Sequence, residues 1–274
     1  MTTDLEFAEI PFQGRTIRLE HRWIAGDRHA APLIVFLHEG LGSVAMWKDY
    51  PQRLCDAGGF RGLVYSRYGY GRSTPRPPQE RWPIDYLHRE AHETLPVFLH
   101  AVGAEGERPW LLGHSDGASI ALIYAASFPD ALSGAVVMAP HIFVEAMSLD
   151  GIAQTKASYE SGDLRQRLAA YHQDPDSAFW GWCDAWLDPV FRTWSIEALL
   201  PAIRCPLLAV QGYEDEYATM AHLDGIKRHV PQTELLKLAR CRHSPHRDQP
   251  AALTQAVVAF IRGAEEKRQQ AAGG

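Results

Sequence analysis

The stretch Leu111-Leu-Gly-His-Ser115-Asp-Gly-Ala118 places the pattern G-x-S-x-G directly after a short apolar run. Small and apolar residues then recur at helical spacing from position 118 to position 128. The two glycines permit a tight turn in which the serine adopts a strained backbone, and the following helix points its positive end toward the serine hydroxyl. The pattern alone is loose, but its position between a strand and a helix predicts that Ser115 is a nucleophile.

Other short runs rich in valine, isoleucine and leucine alternate with longer amphipathic stretches along the chain. This alternation predicts parallel strands joined by helices, and most runs are apolar throughout, as expected of strands covered on both faces. The sequence therefore predicts an α/β fold with a mostly parallel central sheet flanked by helices. The predicted strands are 6–10, 16–23, 33–37, 62–65, 110–112, 135–139, 206–211 and 234–238.

The alternation stops between positions 141 and 200, where the sequence is helical in character and contains no run typical of a strand. We expect this segment to be a helical cap inserted into a core formed by residues 1–140 and 201–262. The remaining segment, 263–274, is small and charged, and we expect it to be a frayed tail.

Composition limits the functions open to the chain. It has 274 residues and a net charge of -6, so it offers no basic field for nucleic acid or anionic lipid. No basic segment followed by an apolar run begins the chain, and no stretch of about 18 apolar residues occurs, so we expect a soluble cytoplasmic protein without a membrane partner. The four cysteines are scattered, which predicts ordinary reduced thiols.

The segment around Ser115 resembles the nucleophile elbow of the α/β-hydrolase fold family. The resemblance implies the chain order nucleophile, acid, histidine, with the acid on the turn after a late strand. Gly212-Tyr-Glu-Asp215 follows the predicted strand 206–211, and its spacing matches the family's acid at Asp215. Glu214 and Glu216 are neighbouring alternatives.

The same resemblance implies a histidine on the loop after the last strand and before the last helix. His243 and His246 both lie there, in the stretch Arg242-His-Ser-Pro-His246. Aligned with the family pattern, His243 occupies the catalytic position although Arg242 replaces the usual glycine, and His246 is the alternative.

The stretch His38-Glu-Gly-Leu-Gly42 resembles the loop on which the family builds half of its oxyanion hole. The match implies that the backbone N–H groups of Gly40 and Asp116 stabilise the developing oxyanion. Glu39 stands where the family has glycine and Leu41 where it has proline, so the register of the first donor is open. Glu39 is either a salt-bridged loop residue or a polar group that faces the site.

The predicted chemistry is acyl transfer to water, with Ser115 as nucleophile, His243 as base and Asp215 as its partner. Carboxylic ester hydrolysis is the leading activity. Two alternatives stay open: hydrolysis of a carbon–carbon bond in a dienoic ring-cleavage product, and a binding protein that retains a hydrolase shell without catalysis. No metal or phosphate motif is present, so we expect neither a metal nor another cofactor.

Tryptophans are concentrated in the predicted cap, at positions 180, 182, 186 and 194. We expect Trp182 and Trp186, with Trp47 and His141, to bind an apolar or aromatic acyl group of a small-molecule substrate. The alternative is that the tryptophans fix the cap to the sheet. The sequence leaves the oligomeric state open.

Overall fold

The computed structural model of the protein describes residues 5–273, and its centre is one eight-stranded sheet in the order β1-β2-β4-β3-β5-β6-β7-β8. β1 and β2 pair antiparallel, β2 also pairs antiparallel with β4, and the strands from β3 to β8 are parallel. This confirms the predicted α/β-hydrolase fold. The strands are β1 Glu6–Phe12, β2 Arg15–Ile24, β3 Leu33–Leu37, β4 Arg61–Tyr65, β5 Trp110–His114, β6 Gly134–Met138, β7 Leu207–Gly212 and β8 Glu234–Leu238.

Burial explains why these runs form strands. Every residue of the five central strands is buried, which matches their apolar character on both faces. β8 forms one edge of the sheet and is only partly covered. All eight strands were predicted, and their ends differ from the prediction by at most about two residues, as at Phe12 and His114.

Helices cover both faces of the sheet. One face packs on α1 and α10, and the other packs on α3, α4 and α8. A turn of π-helix, Glu90–Thr94, joins α2 to α3. The helices are α1 Tyr50–Gly58, α2 Tyr86–Arg89, α3 Leu95–Ala101, α4 Asp116–Ser127, α5 Ala146–Ser161, α6 Leu164–Leu168, α7 Pro175–Leu187, α8 Ala221–His229, α9 Pro245–Asp248 and α10 Pro250–Gly273.

The segment 141–200 lies between β6 and β7 and contains α5, α6, α7 and a 3-10 turn at Pro189–Thr193. All of its residues are described, and their β pairing is limited to an isolated bridge between Phe143 and Ser195 near the two ends of the segment. Phe179 and Trp186 on α7 are almost completely buried. We keep the name cap for this segment; its status as a separate domain stays a prediction.

The last helix continues through residues 263–273, within the segment 263–274 that was predicted to be a frayed tail. This stretch is rich in alanine, glutamate, lysine, arginine and glutamine, which are strong helix formers. The indole of Trp110 donates a 2.8 Å hydrogen bond to Glu265 and so fastens this part of the helix to the start of β5. Gly274 lies outside the described residues.

The cysteines and the longer helices bear on redox chemistry and on membrane insertion. The four cysteines are free and buried. Among the helices within residues 5–273, none is both long enough and apolar enough to cross a membrane.

Candidate active site

The site lies where the parallel strands end at their carboxyl side, which is where open α/β sheets bind ligands. The loop after β3 carries Gly40, the turn after β5 carries Ser115, and the loop after β6 carries His141. Asp215 follows β7 and His243 follows β8. The topology thus brings five distant segments of the chain to one edge of the sheet.

Ser115 occupies the turn between β5 and α4, with φ 53° and ψ -116°. Such a conformation costs a non-glycine residue about 1–3 kcal/mol and persists only where the surroundings enforce it. The turn is closely packed on both sides of the serine: a Cβ on Gly113 would overlap the backbone at Gly117, and a Cβ on Gly117 would overlap the carbonyl of Leu37. Both glycines of the motif are therefore required by close backbone packing.

The proposed acid and base are in contact. His243 Nδ1 lies 2.8 Å from Asp215 Oδ1. The same oxygen accepts hydrogen bonds from the backbone N–H of Tyr217 at 2.9 Å and of Ala218 at 3.2 Å, and Oδ2 accepts one from Gln211 at 3.3 Å. The carboxylate is therefore held in one orientation by four donors, one of which is the imidazole.

These contacts shift both pKa values in the direction that favours an ion pair. Burial acts to raise the pKa of Asp215, but the charge and hydrogen bond of His243 and the N–H of Tyr217 lower it below its ordinary value. Burial likewise acts to lower the pKa of His243, but the charge and hydrogen bond of Asp215 outweigh it, so this pKa is raised above 6.5.

The structure distinguishes Asp215 from the two alternative acids, Glu214 and Glu216. Glu214 is exposed. Glu216 pairs with Arg242 at 3.0 Å and accepts the backbone N–H of His243 at 3.2 Å. Among the described residues, Asp215 is thus the carboxylate that contacts the His243 ring.

His246, the alternative base, lies behind the site. Its ring packs against Trp47 at 5.0 Å and Tyr50 at 5.6 Å between ring centroids. Burial, and then the nearby His114, lower the pKa of His246 to about 3. The geometry therefore places His243, and not His246, against the acid.

A cavity of about 180 Å³ opens at Ser115 and His243. The Ser115 hydroxyl and the imidazole face this cavity without a direct hydrogen bond between them. Such bonds are often long before substrate binds and shorten in the complex. The remaining lining residues are Glu39, Gly40, Leu41, His114, His141, Ser148, Ile152, Trp182, Trp186, Glu216, Tyr217 and Ser244.

Three of the four predicted substrate-binding residues, His141, Trp182 and Trp186, line this cavity. Trp47 does not. Trp47 is 2 % exposed, and its ring packs edge-on against Phe36 of β3. The prediction of Trp47 as a substrate contact is therefore not supported by its position.

Of the two predicted oxyanion donors, Gly40 lines the cavity with Ser115, and Asp116 directly follows Ser115 in the chain. Neither the N–H of Gly40 nor that of Asp116 donates a hydrogen bond to another described residue. Gly40 lies against the cap, because a Cβ there would overlap the indole nitrogen of Trp182. The Asp116 carboxylate is fully buried and accepts hydrogen bonds from Tyr86 at 2.8 Å and from Trp186 at 3.1 Å.

Sequence reasoning missed several cavity residues. Ser148 and Ile152 share one face of α5 because they are four residues apart, a spacing that was readable once α5 was assigned to the cap. Tyr217 and its neighbour Glu216 directly follow the acid. Glu39 satisfies both interpretations given above: it lines the cavity and lies 3.3 Å from His114 Nδ1.

The His, Cys, Asp and Glu side chains were compared with the arrangement that a metal ion needs. Within residues 5–273, no group of three or more His, Cys, Asp or Glu side chains has the arrangement needed to hold a metal ion.

Comparison with known proteins defines the class. The model of the alpha/beta hydrolase family matches residues 34–256, so the chain belongs to the alpha/beta hydrolase family. Human serine hydrolase BPHL is 27% identical over 196 residues, which cover 68% of this chain and 64% of the human protein. Mouse serine hydrolase BPHL is 26% identical over a similar stretch, 63% of its length. The match thus spans less than two thirds of these curated relatives.

Solved structures show the same fold. A thermophilic esterase from Thermogutta terrifontis superposes with a TM-score of 0.73 at 19% identity, covering 95% of this chain and 99% of the esterase. The enol-lactonase from Burkholderia xenovorans superposes with a TM-score of 0.71 at 19% identity, covering 94% and 100%. At this level of identity the likeness concerns the fold.

Proposed function

We propose that the protein is a serine hydrolase that cleaves small carboxylic esters through an acyl-enzyme on Ser115. The observation that carries the proposal is the His243–Asp215 contact of 2.8 Å in the same cavity as a serine on a strained elbow. Family membership and the names of the relatives, a serine hydrolase, an esterase and an enol-lactonase, support the same reaction class.

The mechanism follows from the hydrogen bonds. Since Asp215 accepts the Nδ1–H of His243, the Nε2 lone pair is free to take the Ser115 proton as the hydroxyl attacks the ester carbonyl. The N–H groups of Gly40 and Asp116 would stabilise the oxyanion. His243 then protonates the departing alkoxide, and a water molecule activated by the same imidazole releases the acid from Ser115.

The acid limb of the pH profile is expected above pH 6.5. Catalysis requires neutral His243, and the ionised Asp215 raises the pKa of His243 above its ordinary 6.5. Activity therefore declines as pH falls through this raised pKa, at a higher pH than an isolated histidine would give. The measurement is kcat/KM for p-nitrophenyl acetate between pH 4 and 9. An acid limb centred well below 6.5 would exclude the proposed pairing.

The cavity favours a small acyl group. About 180 Å³ of space, walled by Leu41, Ile152, Trp182, Trp186 and Tyr217, accommodates a short or compact aromatic chain. The polar groups that face it lie mainly near Ser115 and His243. An apolar or aromatic acyl group therefore fits better than a long or highly charged one.

Trp182→Ala is expected to change which esters are preferred, while Trp180→Ala is not. Both residues lie on α7, but Trp182 lines the cavity, whereas Trp180 packs against Tyr159 and Phe179 outside it. Enlarging a pocket wall changes relative transition-state energies by about 1–3 kcal/mol, so long-chain esters should gain at least about tenfold on acetate. The measurement is kcat/KM over p-nitrophenyl esters of increasing chain length. An unchanged preference in folded Trp182→Ala would place the acyl group elsewhere.

A fluorophosphonate probe tests the proposal as a whole. Labelling of wild type at Ser115, together with turnover of at least one ester in a panel of esters and dienoates, is the expected result. Turnover of the dienoates alone would favour the carbon–carbon hydrolase. Absence of labelling in folded protein would favour a binding function.

A further inference from the structure

We propose that Glu39 and His114 form a positioning unit that fixes the His243 loop relative to Ser115. The role rests on the proposed function, since His243 is the base of that mechanism. Neither residue belongs to the triad, and neither is required by the family motif. Their contacts, however, connect three segments that carry the proposed catalytic groups.

His114 supplies the central contact. It immediately precedes Ser115, and its side chain is 1 % exposed. Its Nε2 lies 2.7 Å from the carbonyl oxygen of His243, and its Nδ1 lies 3.3 Å from Glu39 Oε2. One imidazole thus bridges the elbow, the oxyanion loop and the histidine loop.

The His243 carbonyl and the Glu39 carboxylate are both hydrogen-bond acceptors for the His114 ring. A carbonyl oxygen only accepts, so the contact with His243 requires an N–H at Nε2. The carboxylate of Glu39 is ionised: burial acts to raise its pKa, but His114, His246 and Arg247 hold it well below the ordinary value. Both ring nitrogens of His114 therefore face acceptors, the His243 carbonyl at Nε2 and the Glu39 carboxylate at Nδ1.

Glu39 extends the connection to α9. Its Oε1 lies 3.8 Å from the guanidinium of Arg247, which also donates to the carbonyl of Met46 at 3.4 Å. Glu39 is followed directly by Gly40, the proposed oxyanion donor. A single carboxylate therefore contacts the elbow and the helix after the base while it forms part of the oxyanion loop.

The loop is shaped around this carboxylate. A Cβ on Gly42 would come within 2.7 Å of Glu39 Oε2, so glycine at this position leaves the space that the carboxylate uses. Glu39 itself stands where the resemblance leads one to expect glycine.

A matched pair of variants tests the contact with His243. The amide nitrogen of glutamine lies near the position of histidine Nε2, whereas that of asparagine lies near Nδ1. His114→Gln therefore keeps a donor for the His243 carbonyl and His114→Asn loses it, while both replace the same imidazole. We expect His114→Asn to lower kcat for p-nitrophenyl acetate by about 10²-fold with KM within about threefold. His114→Gln should be at least about tenfold more active than His114→Asn.

Equal kcat values in folded His114→Gln and His114→Asn would overturn the proposal. Glu39→Gln, a change of nearly equal size, provides a second test if a His114 variant does not fold. It should lower kcat by at least about tenfold at unchanged KM, because the carboxylate that contacts His114 and Arg247 becomes a neutral amide. A Glu39→Gln enzyme with wild-type kcat would contradict the role of Glu39.

A spectroscopic measurement separates this proposal from the proposed function. The Nδ1–H proton of His243, bonded to Asp215, should give a downfield proton resonance that does not depend on turnover. We expect His114→Gln to retain it and His114→Asn to broaden or lose it. If wild type cleaves no ester, the proposed function fails, and this resonance alone decides the positioning role. A resonance identical in both variants would refute it.

Discussion

Ser115→Ala is expected to lower ester hydrolysis by about 10⁴-fold or more while the protein remains folded. The change deletes one oxygen, and with it the atom that would form the covalent bond to the acyl group. Removing the nucleophile of a catalytic triad costs about 10⁴–10⁶-fold in kcat, and what remains comes from binding and oxyanion stabilisation. The measurement is kcat for p-nitrophenyl acetate with fluorophosphonate labelling of the same samples.

Ser119→Ala is the matched control for this variant. Ser119 lies one turn further along α4, is fully buried and donates a 2.6 Å hydrogen bond to the carbonyl of His141. Its loss removes a structural hydrogen bond and no reacting atom, so labelling of Ser115 should persist. More than a few per cent of wild-type turnover in Ser115→Ala, in a preparation free of other hydrolases, would show that the nucleophile lies elsewhere.

His243→Ala is expected to lower kcat by about 10³–10⁵-fold, whereas His246→Ala should change it by less than about tenfold. The reason is position: His243 contacts Asp215 at the cavity, while His246 packs against Trp47 and Tyr50. His246→Ala removes a buried ring, so its effect should be seen mainly as a lower melting temperature.

The comparison of these two variants needs kinetics and thermal unfolding on the same preparations. An inactive His246→Ala beside an active His243→Ala would reverse the assignment of the base. Loss of activity in both, with both folded, would mean that the loop and not a single imidazole controls turnover.

Local patterns were sufficient to predict the parts of the fold that depend on neighbours in sequence. The run of five apolar residues at 33–37 became β3 with the predicted ends, because a strand buried on both faces has no polar positions. The elbow was predicted for a similar reason, since glycines at positions 113 and 117 are forced by the turn itself. Motif order then led to Asp215 and His243, which the fold brings into contact.

Contacts between distant segments could not be predicted in this way. His114 and Glu39 are 75 residues apart, and only the parallel pairing of β3 with β5 brings them together. Trp47 was assigned to the pocket because it follows the oxyanion loop, but periodicity does not tell which side of a loop an aromatic ring covers. Positions 263–274 were assigned to a tail because they are small and charged, although residues 263–273 are rich in strong helix formers.

The buried Asp116 carboxylate has a consequence for the position of α7. One of its hydrogen-bond donors, Trp186, belongs to α7 of the cap, while Tyr86 and the guanidinium of Arg67, 3.6 Å away, belong to the core. Lifting α7 would remove one hydrogen-bond donor from the Asp116 carboxylate, which costs about 1–3 kcal/mol if water does not replace that donor. A conformation with α7 raised would then be about 5- to 150-fold rarer than the closed one from this contact alone. This contact therefore biases α7 toward the closed position, in which Trp186 forms part of the wall of the cavity at Ser115.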